Sequence, residues 1–130
     1  MSKSREQINH FLSEINLDGK TVLDVGVQDN PAYKYCRGTA KKYKTMDVDE
    51  QWNPNFVYDL NDDKIDLSIF ENLIYSKDLQ DGFDIIFCLE TMEHVWNPIQ
   101  ALKNLNVFLK AGGVAYISVP FINPIHDKWD

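Results

Sequence analysis

Hydrophobic positions along the chain switch between two periods. Ile8, Phe11, Leu12 and Ile15 fall at i, i+3, i+4 and i+7, which is one face of a helix. Ser4 and Gln7 form a capping-box pair ahead of them and Asp18-Gly19 closes the element, so a helix over about 4–17 is expected. Thr21 to Val25 is a short run bounded by glycines and reads as a strand buried on both faces. Asn30-Pro31 favours a turn, and Ala32 to Cys36 one or two helical turns. Tyr43 to Val48 reads as a second strand ending in acidic residues, and Phe56 to Tyr58 as a very short third, followed by Asp59. Ile65, Ile69, Phe70, Leu73 and Ile74 return to helical spacing over Ile65 to Tyr75, and Gly82 breaks that pattern. Phe83 to Leu89 is the strongest strand signal. Asn97-Pro98 then provides an N-cap with proline at the first helical position. Ala101, Leu102, Leu105, Phe108 and Leu109 continue this helix, with Lys110 in its last turn and Gly112 just past it. Val114 to Val119 is the last strand.

Strand-like and helix-like segments thus alternate, with no repeat, linker or low-complexity tract. The expected architecture is α/β, a doubly wound and mainly parallel sheet formed by one domain over 1–130. In such sheets ligands bind outside the carboxyl ends of the strands, where the strand order reverses. Function is therefore expected at Asp24 to Asn30, Asp47 to Glu50, Asp59 to Asn61, Leu89 to His94, and from Pro120 onward.

Composition narrows the partners. Lys and Arg number 13 against 20 Asp and Glu, a net charge of −7. The densest basic stretch, Lys41, Lys42 and Lys44, reads as a solvated loop leading into a strand. A nucleic acid or an anionic membrane needs a larger basic face, so neither is an expected partner. No apolar run approaches the ~20 residues of a membrane span, and MSKSREQINHF does not read as a secretion signal, so none is expected. Cys36 and Cys88 make neither a disulfide framework nor a zinc site, and no metal is expected. Reduced thiols in a cytoplasmic protein are the simplest reading.

The segments TVLDVG, YKTMDVD, FVYDLND, FDIIFCLETMEHVWNP and LKNLNVFLKAGGVAYISVP occur in that order. Together, from about Thr21 to Pro120, they resemble the successive motifs of a class I S-adenosylmethionine-dependent methyltransferase, of the small-molecule and glycan-pathway type. No single motif is specific; their order and spacing are. The resemblance implies a Rossmann-like sheet and S-adenosylmethionine as cofactor. It also implies methyl transfer to a small-molecule or glycan-type acceptor. Gly26 follows the first strand, where a missing side chain allows close backbone approach. Asp47 lies 21 residues after Gly26 at the end of the second strand, placed to accept hydrogen bonds from ribose hydroxyls. Asp24 and Val48 count with them as cofactor-binding. The resemblance further implies that Asp59 and the backbone of Leu60 border the adenine, and that Leu89 and Glu90 flank the methionine portion and the methyl group. Glu90 and His94 are the catalytic candidates. A histidine can take a proton from a hydroxyl, which makes His94 a candidate general base; alternatively, Glu93-His94-Val95 anchors the loop by hydrogen bonds. Trp52, Trp96 and Trp129 fit core or interface better than stacking on a ligand.

Two departures from the family pattern stand out. Glycines at alternating positions are usual after the first strand, but here the loop reads Gly26-Val27-Gln28-Asp29-Asn30-Pro31. Gln28 carries a side chain where close approach is expected, and Asn30 can supply the left-handed conformation of a glycine. Family members also usually continue through a helix and two antiparallel strands. Here the sequence stops at Asp130, as expected of a truncated protein or of part of a longer one, with the C-terminal strands missing. The exposed sheet edge that results predicts a homodimer or a complementary chain. The alternative to an enzyme is a non-catalytic binding or structural protein that keeps the sheet. A nucleotide-dependent oxidoreductase lacks its G-x-G-x-x-G and a hydrolase its G-x-S-x-G. Leu89-Glu90-Thr91-Met92 also differs from the Asn/Asp-Pro-Pro-aromatic segment of amino-group DNA methylases.

Overall fold

The computed structural model describes residues 3–65, 67–70 and 82–119. Five parallel strands form one sheet in the order β3-β2-β1-β4-β5. They are β1 (Thr21–Val25), β2 (Lys42–Asp47), β3 (Phe56–Val57), β4 (Phe83–Cys88) and β5 (Leu109–Ile117), with helices α1 (Lys3–Leu12) and α2 (Pro98–Phe108). The order reverses between β1 and β4, which places a switch point at the centre of the sheet.

Every residue of β1 is buried, as its unbroken apolar run requires. Alternate side chains serve two cores. Leu23 and Val25 join Ile86 and Cys88 of β4 on one face, under Ala101, Leu105 and Phe108 of α2. Val22, Ile85 and Phe87 point to the other face, under Leu12 of α1 and Ile15 and Leu17 beyond it. Period 2 in the strands and period 3.6 in the helices thus meet on both sides. Phe70 is the keystone of the first core, edge-to-face with Phe56, Phe83 and Phe108 at centroid distances of 4.8, 5.2 and 5.1 Å.

Several element boundaries differ from the sequence expectation. Helix α1 ends at Leu12, not near 17. The Ser13 hydroxyl donates to the His10 carbonyl, and the backbone at 15–17 turns to pair with Arg37: Leu17 N donates to Arg37 O, and Arg37 N to Ile15 O. That exchange ends the helix while Ile15 and Leu17 still reach the core. The helix already begins at Lys3, so Ser4 lies inside it and not at its cap. Of the helix expected over Ile65 to Tyr75, one tight turn at Leu67–Phe70 is seen, and most of the rest lies outside the described residues, as does the tail from Pro120. Helix α2 stops at Phe108, and β5 starts at once with Leu109 beside Phe83, five residues before the expected start at Val114. The strand bulges before Val114 regains register opposite Ile85. Gly112, with φ +83, serves this bulge and not the helix end. Lys110 is turned into an ion pair with Asp84, 2.6 Å away. Asn97 does cap α2, its side chain accepting from Gln100 N, with Pro98 following. Among the described residues no helix is long and apolar enough to cross a membrane.

Candidate active site

The chain leaves β1 at Gly26, whose φ of +72 an L side chain rarely adopts. A Cβ there would also lie 2.1 Å from the Thr91 hydroxyl oxygen. Thr91 packs against this turn, its hydroxyl in reach of the Val25 and Leu89 carbonyls. Glycine is therefore demanded first by the neighbouring loop, and not by a ligand alone. The second left-handed residue is Gln28, φ +49, in place of the expected Asn30. The loop thus keeps a turn that glycine would favour while carrying a glutamine, and Asn30 instead accepts from the Tyr35 hydroxyl through Oδ1.

Asp24, only 3% exposed, is a bracket for this loop. Its Oδ2 accepts from the Ala32 N–H at 2.8 Å and from the Tyr43 hydroxyl. Burial pushes its carboxyl up to about 6, against the lowering effect of these two bonds and of the Arg5 guanidinium. Burial also holds the Cys36 and Cys88 thiols up at about 11 and about 12, so neither is a ready nucleophile.

At the end of β2, Asp47 is 7% exposed and accepts from Asp49 N at 3.0 Å and, at 3.4 Å, from Gln28 N. It thereby joins the loops after β1 and β2. Val48 beside it is 65% exposed, an apolar surface facing open space. After β3, Asp59 Oδ1 accepts from both the backbone and the side-chain nitrogen of Asn61, while Leu60 inserts into the core. After β4, Glu90 adopts φ +53 and its N–H donates to Ser118 Oγ at 2.7 Å. Such strain in a non-glycine residue gathers at functional sites. His94 ends the tight turn Met92–His94 and is exposed.

These strand ends surround one cavity of about 800 Å³. Asp24, Gly26, Asp47, Val48, Asp59, Leu60, Leu89, Glu90 and His94 all line it. Arg5 of α1, which the sequence reading passed over, lines it too; its Nη1 lies 3.1 Å from Glu90 Oε2, and its guanidinium sits over the Tyr35 ring. Arg5 is the one Lys or Arg among the described lining residues. It faces seven acids: Asp24, Asp29, Asp47, Asp49, Asp59, Glu90 and Glu93. A signal for it was present: Arg5 precedes Ile8 and Leu12 at i, i+3 and i+7, a cation on the buried face of an amphipathic helix. Thr91 carried no such signal, because its partner is Gly26, 65 residues away.

Residues 3–129 match the profile of a family described as Methyltransferase domain. The chain belongs to this methyltransferase family. Its cofactor is S-adenosylmethionine. A ubiquinone biosynthesis O-methyltransferase of Pseudomonas syringae pv. tomato is 28% identical over 91% of this chain and 52% of its own length. One of the same name from Coxiella burnetii is 31% identical over 86% of this chain and 48% of its own. A tRNA U34 carboxymethyltransferase of Campylobacter curvus is 27% identical over 90% of this chain and 40% of its own length. The chain therefore spans about half the length of the curated relatives it matches. The cavity of this methyltransferase domain suits its cofactor chemically. A sulfonium amino-acid nucleoside carries two positive groups, one carboxylate and two ribose hydroxyls, and the lining offers many carboxylates and one guanidinium.

Proposed function

We propose that this chain binds S-adenosylmethionine at the carboxyl ends of β1, β2, β3 and β4, and that the protein transfers its methyl group to a hydroxyl of a small acceptor. The observation that carries this reading is that Asp24, Gly26, Asp47, Val48, Asp59, Leu60, Leu89, Glu90 and His94 line one cavity together with Arg5. Asp47 receives the ribose hydroxyls. Val48 gives an apolar face to the adenine, and Asp59 with the Leu60 backbone takes its edge. Arg5 binds the carboxylate of the methionine portion, and Leu89 and Glu90 flank that portion. Asp24 acts through the loop it brackets, holding Gly26 to Ala32 in shape.

When bound, S-adenosylmethionine supplies an electrophilic methyl group on sulfur. The chain's own contribution is position: reactants held in line account for much of such a rate. His94, at the rim, accepts the acceptor's hydroxyl proton as the oxygen attacks. The hydroxyl class is supported by relatives named O-methyltransferases. None of the relatives named above carries a glycan acceptor in its name. A polyanionic acceptor such as RNA fits poorly with a net charge of −7 and one guanidinium in the cavity. Pairing of β5's outer edge with a second copy or a complementary chain stays a proposal; a monomer mass at every concentration in light scattering would remove it.

The test is a thermal melt with and without S-adenosylhomocysteine, the demethylated product. At ~100 times its dissociation constant it adds about 2.7 kcal/mol, a shift of many degrees. Asp47→Ala should cut the affinity by about 1–3 kcal/mol, since the ribose loses its acceptor. His94→Gln should keep the melt shift and slow turnover. A cooperative melt with no shift would favour the non-catalytic reading, which the side chain of Gln28 in the cofactor loop supports.

A further inference from the structure

Helix α2 meets the sheet through Ala101, Leu105 and Phe108, yet one of its buried positions is Asn104, 2% exposed. A buried amide is costly unless its hydrogen bonds are made. Those of Asn104 are made, and its two Nδ2 bonds lead to one place. Its Nδ2 donates to the Leu60 carbonyl and to the Asp62 carbonyl, both at 2.8 Å. Its Oδ1 accepts from Gln100 Nε2 at 3.1 Å, which fixes which end of the amide faces the loop. The N-terminus of the same helix holds the residue between: Asn97 N donates to Asn61 Oδ1 at 3.0 Å. Three consecutive residues after β3 are thus tied to α2.

The tie continues to the cavity. Asn61 donates through its backbone and side-chain nitrogens to Asp59 Oδ1, at 2.9 and 2.8 Å, and Asp62 N donates to Asp59 O at 3.1 Å. Asp59, Leu60 and Asn61 line the cavity; Asn104 does not. A carboxylate accepts hydrogen bonds and donates none when ionised. Placed against the 6-position of a purine, Asp59 welcomes an amino group and repels a carbonyl oxygen.

We propose that Asn104 is a positioning residue for nucleobase selection: it fixes the 59–62 turn so that the Asp59 carboxylate meets the adenine amino group. The inference rests on the cofactor reading given above. It concerns a residue that touches no ligand and acts through two backbone carbonyls.

The experiment measures the dissociation constants of S-adenosylhomocysteine and of its deaminated analogue, S-inosylhomocysteine, by calorimetry. The unaltered protein should prefer the adenine form by about tenfold or more, one hydrogen bond's worth or better. Asn104→Leu, which keeps the branched shape and removes both donors, should bring the ratio close to one. Gln100→Ala is the second variant. It lies outside the cavity on the half-buried side of α2, so it spares the core, and it should lower the ratio by a smaller factor. A role confined to stability would weaken both ligands equally and leave the ratio unchanged in folded Gln100→Ala, and that result overturns the proposal. A ratio of one in the unaltered protein overturns it as well. If neither ligand binds the unaltered protein, the cofactor reading fails instead, and the inference with it.

Discussion

Gly26→Ala tests whether the turn after β1 is set by the protein or by its ligand. The added methyl carbon would sit 2.1 Å from Thr91 Oγ1, 2.9 Å from Cγ2 and 3.1 Å from Cβ. At φ +72 an alanine costs roughly 1–2 kcal/mol by conformation alone. Overpacking against a fixed neighbour adds about 1–3 kcal/mol. The reduced freedom of the unfolded chain returns about 0.4–1 kcal/mol. A net loss near ~3 kcal/mol follows, or roughly 10 °C in Tm for a domain of this size. The assay is urea and thermal unfolding without ligand, on four proteins: the unaltered chain, Gly26→Ala, Thr91→Ala and the double variant. Thr91→Ala removes Oγ1 and Cγ2, the two nearest obstacles. The double variant should therefore recover the overpacking share and keep the conformational one, ending more stable than Gly26→Ala alone. Strict additivity of the two losses would refute the reasoning, as would a Gly26→Ala that unfolds like the unaltered protein but no longer binds S-adenosylhomocysteine. The latter outcome would restore the ligand as the sole reason for glycine.

Two further predictions concern the same wall of the cavity. Asp24 has a folded value of about 6 against about 3.9 for an unfolded aspartate. Its folded form binds the extra proton between those values, so its contribution to stability falls as pH rises from about 4 to about 6 and is lowest above. Asp24→Asn keeps an acceptor for Ala32 N–H and removes the buried charge. The variant should gain on the unaltered protein by on the order of 1 kcal/mol per pH unit across that window; parallel urea stabilities at pH 4, 5, 6 and 7 would contradict this. Gln28→Gly relieves the left-handed conformation at φ +49 and removes a side chain from the loop after β1. It should leave stability within about 1 kcal/mol and tighten S-adenosylhomocysteine binding; weaker binding would mean that the glutamine side chain itself contacts the ligand.

What the sequence disclosed and what it hid follow from the range of the interactions involved. Five strands, their buried faces and the cap of α2 are local: Val22 to Val25 and Phe83 to Cys88 declare themselves by composition, and Asn97-Pro98 by turn chemistry. The ends of elements were less legible because distant partners set them. Ser13 to Leu17 could have stayed helical, but Arg37 offers the backbone at 15–17 another pairing. Leu109 looks like the last helical turn, yet Gly82, where a Cβ would strike the Phe108 carbonyl oxygen at 2.5 Å, lets β4 press against that helix end so closely that the chain enters the sheet there. The cavity follows the same rule. Asp47 and Gly26 were found by a spacing, which is local information. Arg5, Thr91 and Asn104 reach their partners across 85, 65 and 44 residues respectively, and no window along the chain contains both ends. Thr91 and Asn104, which hold the loops around the cavity in shape, are therefore the harder part to find from sequence, and their substitution should alter binding without removing a group that faces the ligand.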